Sequence, residues 1–380
     1  MIIEQLTQIK QLGLTMKMDS KTRIEINNHS ITIHESDKST TIQGLQLIPN
    51  QIQYTHQSAT LQLQIKMNEL QEAGQTPQPE PNVTTLQCHQ CCNLLTDELK
   101  FDKRLSLPTD YWFEMSECWA CHKEDYSNLP GQMGGMILPQ LNVLLVGVSY
   151  YLLHPLNMDT NRVRLHYTGR ESTFKSNRWV QIQCNRCLYP IGDAFMDPNS
   201  PINNTGNNDH HHLVLDIKNV TIFKMFKYGV DVFGKENGVL IRNPYKSFSY
   251  YFIQDLIESI KAHANYRFLL ADEMNGTPMM MLWVLNWNSH LGVLKEMDIE
   301  KDNDKKNYTV QFTQGVKLLY CLAVDKIELV PVWQMDRRVE QLQYTNDCLV
   351  ELMLSFQKRT QQMALQQQTL NGFQVVFYEL

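Results

Sequence analysis

Nine cysteines occur among the 380 residues, and their spacing is the first chemical signal in the chain. Cys88-His-Gln-Cys91 and Cys184-Asn-Arg-Cys187 each set two thiols on a tight turn. Two such turns together supply four sulfurs, the donor set that suits a tetrahedral Zn²⁺ ion. With every position filled by protein, no site is left for water activation, so the expected zinc is structural rather than hydrolytic. About ninety residues separate the two pairs, so the tertiary fold must bring them together. The alternative is that all four are buried free thiols, which two independent Cys-x-x-Cys pairs argue against.

Between the pairs lies a second concentration of chemistry. Trp112, Cys118, Trp119, Cys121, His122 and Lys123 fall within one short stretch. Cys118, Cys121 and His122 suit a second metal site, with Cys92 or His89 as the fourth ligand. Alternatively, Cys121 beside His122 and Lys123 is a thiol whose pKa its neighbours lower, a nucleophile suited to thioester chemistry. A third reading is a projecting loop whose Cys121 and His122 ligate a metal in a partner. In the fourth, Trp112, Cys118 and Trp119 are simply packed.

Other signals are weaker. His210, His211 and His212 form a run, but consecutive imidazoles seldom converge on one ion, and the polar loop around them favours solvated side chains. No Gly-rich phosphate loop, Gly-x-Ser-x-Gly or His-Glu-x-x-His motif occurs, which removes the familiar nucleotide-binding and hydrolase readings. A net charge of -6 argues against direct nucleic-acid binding. The local cluster Arg162, Arg164, Arg170, Lys175 and Arg178 reads as a solvated face. The start of the chain lacks the pattern of a secretory signal, and Leu141 to Leu153 is too short to span a bilayer, reading instead as one buried strand. No membrane partner is expected, and a reducing cytoplasmic or nuclear setting fits paired thiols that hold metal.

The elements that must position these residues are legible from periodicity. Between Arg23 and Met67 apolar and polar residues alternate, as strands require, so residues 1–75 are expected to form a β-rich N-terminal domain resembling a sandwich. The proline-rich stretch from Gly74 to Pro81 marks a linker, and residues 82–196 then make a zinc-knuckle domain carrying the Trp and Cys-His insertion. Residues 197–209 read as a mobile polar loop. Residues 213–380 are expected to form a mixed C-terminal domain. Its expected parts are an amphipathic helix from Ser249 to Tyr266, a hairpin turning at Asn275-Gly276, and strands at Tyr308–Phe312 and Val316–Tyr320. A long helix from Arg337 to Met363, presenting Leu342, Leu349, Leu352, Met353 and Phe356, and a closing strand from Phe373 complete it. The whole is α+β.

The order of Cys88/Cys91, the stretch from Trp112 to Lys123, Cys184/Cys187 and Phe373-Gln-Val-x-Phe377 resembles the HECT-like family that binds ubiquitin-conjugating enzymes. The resemblance implies a zinc-binding protein with a ubiquitin-conjugating enzyme as partner and ubiquitin-ligase activity. It also implies a second role, as a partner of the cleavage and polyadenylation endonuclease, a two-zinc enzyme of the metallo-β-lactamase type, which would add nuclear residence. In the first role Cys121 is the thioester candidate and His122 its proton partner. In the second, a non-catalytic one, the same two residues cap the endonuclease's metals. True HECT ligases carry a catalytic cysteine near the C-terminus, whereas the last cysteines here, Cys321 and Cys348, lie in core-like patterns.

Overall fold

The computed structural model describes residues 2–6, 11–17, 22–35, 38–43, 45–57, 60–67, 83–96, 101–109, 111, 137–167, 178–199, 203–205, 212–236, 239–242, 244–296, 305–363 and 368–380. It is strand-rich with a few helices, an α+β chain. The chain divides into two compact units, Met1–Pro77 with Asn265–Leu380, and Gln78–Ala264.

The first unit is built on one long hairpin, Pro278–Glu296 against Lys305–Leu322, paired from Met280↔Leu322 to Glu296↔Tyr308. Strands of this length cannot be covered by one partner, and different parts of the chain line each half. On the outer half, Ile2–Leu6 pairs antiparallel with Pro278–Glu296 and Ser39–Gln43 pairs parallel with Lys305–Leu322. Gln11–Lys17 and Ser30–His34 pair with these two strands in turn, and Leu12, Leu14, Ile31, Ile33, Ile42 and Phe312 are buried in one cluster. On the inner half, Arg267–Asp272 and Phe373–Glu379 flank the hairpin, and the helix Asn346–Gln361 packs on the latter through Phe356 and Tyr378. Between the halves the register shifts around Asn286, as β-bulges do where a long ribbon bends. There the fully buried Ser289 hydroxyl donates to the Glu4 carboxylate, and Lys317 lies 3.5 Å from its other oxygen.

This pairing redraws the three-domain expectation. The strands of residues 1–75 pair largely with one another, but Ile2–Leu6 and Ser39–Gln43 also pair with the C-terminal hairpin, so they share a unit with it, and the boundary expected near residue 213 falls at Ala264. Long-range strand pairing of this kind leaves no trace in local periodicity.

Four local expectations are corrected as well. Leu141 to Leu153 is two antiparallel strands, Val143–Val146 and Tyr150–Leu153. The chain turns between them at Gly147, where a Cβ would lie 2.8 Å from the Tyr150 ring. Tyr308–Phe312 and Val316–Tyr320 belong to one strand. Gly315 between them makes room for Leu291, whose side chain would lie 2.5 Å from a Cβ there. The helix expected over 337–363 begins only at Asn346, after the Thr345 hydroxyl caps it by accepting from the Cys348 N–H. Leu342 lies before it on the strand Val339–Tyr344, which pairs parallel with Arg267–Asp272. Part of the loop 197–209 forms the strand Asn203–Thr205, paired with His212–Val214, while His210 and His211 lie outside the described residues.

Besides the pair Asn203–Thr205 and His212–Val214, the described residues of the second unit form two larger sheets. Seven strands run in the order Val163–His166, Trp179–Cys184, Pro190–Met196, Val220–Phe226, Tyr150–Leu153, Val143–Val146, Lys103–Ser106. A smaller sheet comprises Val83–Cys88, Val230–Glu236 and Val239–Arg242. Leu86, Val230 and Val232 from the small sheet share one core with Val180, Ile182, Phe223 and Met225 from the large one. The helix Phe248–His263 matches the amphipathic expectation. Phe252, Ile253, Leu256, Ile257 and Ile260 are all buried, and Ala264 ends it in the left-handed conformation at φ 55. Burial of each such side chain contributes about 1.5–3 kcal/mol. The Asn275-Gly276 hairpin and the closing strand Phe373–Glu379 also match.

Candidate metal centre

Cys88 ends a strand of the small sheet and Cys184 ends a strand of the large one, so the shared core brings two sequence-distant turns face to face. The turns repeat one another. Cys88 N–H donates to Asn93 O at 2.8 Å and Cys92 N–H to Cys88 O at 2.9 Å. In the second turn Cys184 N–H donates to Tyr189 O and Leu188 N–H to Cys184 O, both at 2.9 Å. The residue after the second cysteine of each pair, Cys92 at φ 57 and Leu188 at φ 65, takes the left-handed conformation that closes the turn. In each turn the first cysteine's sulfur faces the backbone N–H groups two and three residues on.

The four sulfurs converge. Cys88 Sγ lies 3.6 Å from Cys187 Sγ, and Cys91 Sγ lies 3.7 Å from Cys184 Sγ. All four lie within 4.8 Å of one another, and among the described residues this is the one group arranged to hold a metal. Zinc–sulfur bonds of about 2.3 Å at tetrahedral angles place sulfurs about 3.8 Å apart, so the thiols as they stand fit that ion. Cys88 and Cys184 are buried while Cys91 and Cys187 are half-buried, which leaves one side of the cluster toward solvent.

The thiols are electrostatically uneven. Burial pushes Cys88 and Cys187 upward. Burial opposes ionisation of Cys184 too, yet the N–H groups of Cys187 and Arg186, the Asn93 amide and the Cys91 thiol together bring it down to about 7. Cys184 is therefore better prepared to be a thiolate than Cys88 or Cys187.

Around the first turn stands a supporting network. His89 Nδ1 lies 3.0 Å from Asp231, whose second oxygen accepts from Arg242 at 2.6 Å. Asp231 is only 4% exposed, and the His89 ring stacks on Tyr245 at 3.6 Å between centroids. Sequence reasoning missed Asn93, Asp231, Arg242 and Tyr245. The one available signal was an acid set between Val230 and Val232 in a strand pattern, which is costly unless partnered.

The remaining expected site residues separate clearly. Cys92 is exposed and outside the four-sulfur group, and His89 is engaged with Asp231. Trp112, Cys118, Trp119, Cys121, His122 and Lys123 lie outside the described residues. Of the basic cluster, Arg162 pairs with Asp159 and the Leu94 carbonyl, Arg164 with Gln183, and Arg178 with the Pro198 carbonyl. Arg170 and Lys175 are not described. Cys321 is buried, which pushes its thiol up, and Cys348 sits half-buried on the C-terminal helix. No described helix is long and apolar enough to cross a membrane.

The chain is 22% identical to a protein of Mus musculus named as an E3 ubiquitin-protein ligase, over 94% of this chain and 90% of that protein. It is 20% identical to the Homo sapiens protein of the same name, over 78% of this chain and 72% of that one. No solved structure matches. The family described as HECT-like ubiquitin-conjugating enzyme (E2)-binding matches residues 3–375, and the chain belongs to that family.

Proposed function

We propose that this protein is a zinc-stabilised ubiquitin ligase that binds a ubiquitin-conjugating enzyme and accepts ubiquitin on Cys121. The convergence of Cys88, Cys91, Cys184 and Cys187 carries the zinc half of the reading, since four thiols from two sheets within 4.8 Å have the chemistry and spacing of a closed zinc site. When bound, the ion supplies cross-linking rather than catalysis. Family membership and the relatives' names carry the ubiquitin half. Buried Cys321, its thiol pushed up, is poorly suited to nucleophilic attack, whereas Cys121 has His122 and Lys123 beside it in sequence to favour its thiolate. In that step the Cys121 thiolate attacks the carbonyl of the conjugating enzyme's ubiquitin thioester. The enzyme's cysteine leaves as thiolate and takes up the proton that His122 had drawn from Cys121. A cytoplasmic or nuclear setting keeps these thiols reduced.

The test is a charging assay with purified chain and a ubiquitin-loaded conjugating enzyme. Metal analysis is expected to find one zinc per chain. Non-reducing gels are expected to show a ubiquitin adduct that reductant removes and that Cys121→Ala lacks. Enzyme binding without an adduct would overturn the catalytic assignment, and absence of binding would overturn the functional reading.

A further inference from the structure

The four thiols of the cluster meet across the two turns in a way that uses each of them once. Cys88 Sγ lies 3.6 Å from Cys187 Sγ, and Cys91 Sγ lies 3.7 Å from Cys184 Sγ, so the two contacts share no sulfur. Each contact also joins a buried cysteine to a half-buried one, Cys88 to Cys187 and Cys184 to Cys91. Both pairs therefore have one sulfur within reach of solvent and one in the core that Leu86, Ile182 and Val230 share.

The lengths of chain between the partners matter as well. Cys88 and Cys187 are 99 positions apart, and Cys91 and Cys184 are 93 apart. Cross-links that close loops of this size restrain the unfolded chain far more than one confined to a Cys-x-x-Cys turn. They would also tie Val83–Cys88 to Trp179–Cys184, which is the join that a bound ion makes, whereas a bond within one turn leaves the two sheets unjoined.

We infer that this centre is a redox switch, in which the thiols that would hold zinc close instead, under oxidation by a peroxide, into two inter-turn disulfides, Cys88–Cys187 and Cys91–Cys184. The inference rests on the zinc half of the functional reading. In each pair the half-buried sulfur attacks one peroxide oxygen, the O–O bond breaks, and the hydroxide that leaves takes up a proton to become water. The buried partner then attacks the sulfenic sulfur, the S–O bond breaks, and a second water departs. Each pair thus consumes one peroxide, two thiolates and two protons, and yields one disulfide and two waters. Sulfurs bonded in this way no longer offer thiolates, so metal and disulfides exclude one another. Reduction runs from the solvent side. A small thiol attacks Cys91 or Cys187 and frees the buried partner, and a second one then releases the mixed disulfide as its own disulfide. The sheets stay tied in the metal-bound and the oxidised state alike, and only the reduced, metal-free chain leaves them untied.

The test uses the full chain, purified reduced, assayed for zinc and then treated with graded hydrogen peroxide. A metal-sensitive dye should report release of the ion. Non-reducing tryptic mapping should join Cys88 to Cys187 and Cys91 to Cys184. Cleavage after Arg186 separates Cys184 from Cys187, and fragmentation of the other peptide separates Cys88 from Cys91. Trypsin should cut residues 78–264 of the oxidised chain at least about tenfold more slowly than those of chain stripped by a chelator under reducing conditions. Dithiothreitol with zinc should restore the starting state, and dithiothreitol with chelator should give the sensitive one. Chain that holds no zinc as purified would overturn the zinc reading and the switch together. Zinc-loaded chain that yields within-turn disulfides, sulfinic acids or free thiols at these four positions, or that is cut as fast as stripped chain, would overturn the switch alone.

Discussion

The side-chain amide of Asn93, in the first cysteine turn, points at Cys184 Sγ in the second, 3.5 Å away. It is a hydrogen bond from one half of the cluster to a sulfur of the other, and it reaches the thiol that is lowered to about 7. Donors to a ligating sulfur stabilise its anionic form and fix its direction. Asn93→Ala is therefore expected to leave zinc bound at one per chain but to release it about 10–100-fold faster to a chelating dye. Unchanged release kinetics would show that the amide contributes nothing to the ion's hold.

Metal removal should act on one unit. The four sulfurs join the small sheet to the large one within Gln78–Ala264, and structural zinc contributes folding free energy directly. Stripping with a strong chelator is expected to expose residues 78–264 to limited proteolysis while Met1–Pro77 with Asn265–Leu380 stays resistant. Cys184→Ser should reproduce the pattern without chelator. Uniform protection after stripping would mean that the shared apolar core alone holds the two sheets together.

How far these relationships can be read from sequence depends on their range. The Cys-x-x-Cys turns, the helix through Phe252 and Ile260 and the Asn275-Gly276 hairpin are local, and their patterns carry them. The pairing of Gln5 with His290 is not local. Nothing in the alternation from Arg23 to Met67 says that Ser39–Gln43, besides pairing with Ser30–His34, also adds to the hairpin strand that begins at Lys305. The helix expected over 337–363 fails at Thr345 for a related reason, because the apolar residues of Val339–Tyr344 suit a helix face as well as a strand beside Leu270. At the site, the four cysteines that converge were legible because Cys-x-x-Cys pairs are a local pattern, whereas supporting residues such as Asn93 and Arg242 are of common types whose roles come from tertiary placement alone.

Asp231 shows how costly such a supporting residue is to lose. Buried between His89 and Arg242, it is a carboxylate whose solvation comes largely from two partners. Asp231→Ala removes both contacts but leaves Arg242 half-exposed and able to turn to water, so the expected loss is about 2–3 kcal/mol, less than for a fully buried pair. His89→Ala, which gives up one hydrogen bond and the stack on Tyr245, should cost about 1–2 kcal/mol. Chemical denaturation of both variants and the double variant measures the coupling. Simple additivity would show that His89 and Asp231 act independently on the turn.

A pH effect is expected at Asp336. The Arg338 side chain and backbone N–H, with Arg267 behind them, hold its carboxylate down to about 2 from the ordinary 3.8. The folded state thus binds this proton less tightly than the unfolded state, so the contribution is fully present above about pH 4 and is lost as pH falls through about 2. Asp336→Asn should remove that component, making the variant's stability flatter than the parent's over this window, and added salt should narrow the difference because its partner Arg338 is exposed. Thiolate ligands also protonate at acid pH, so the quantity to read is the difference in urea midpoint between parent and variant at each pH. A difference that stays constant from pH 5 to pH 2 would show that the arginines do not favour the ionised form.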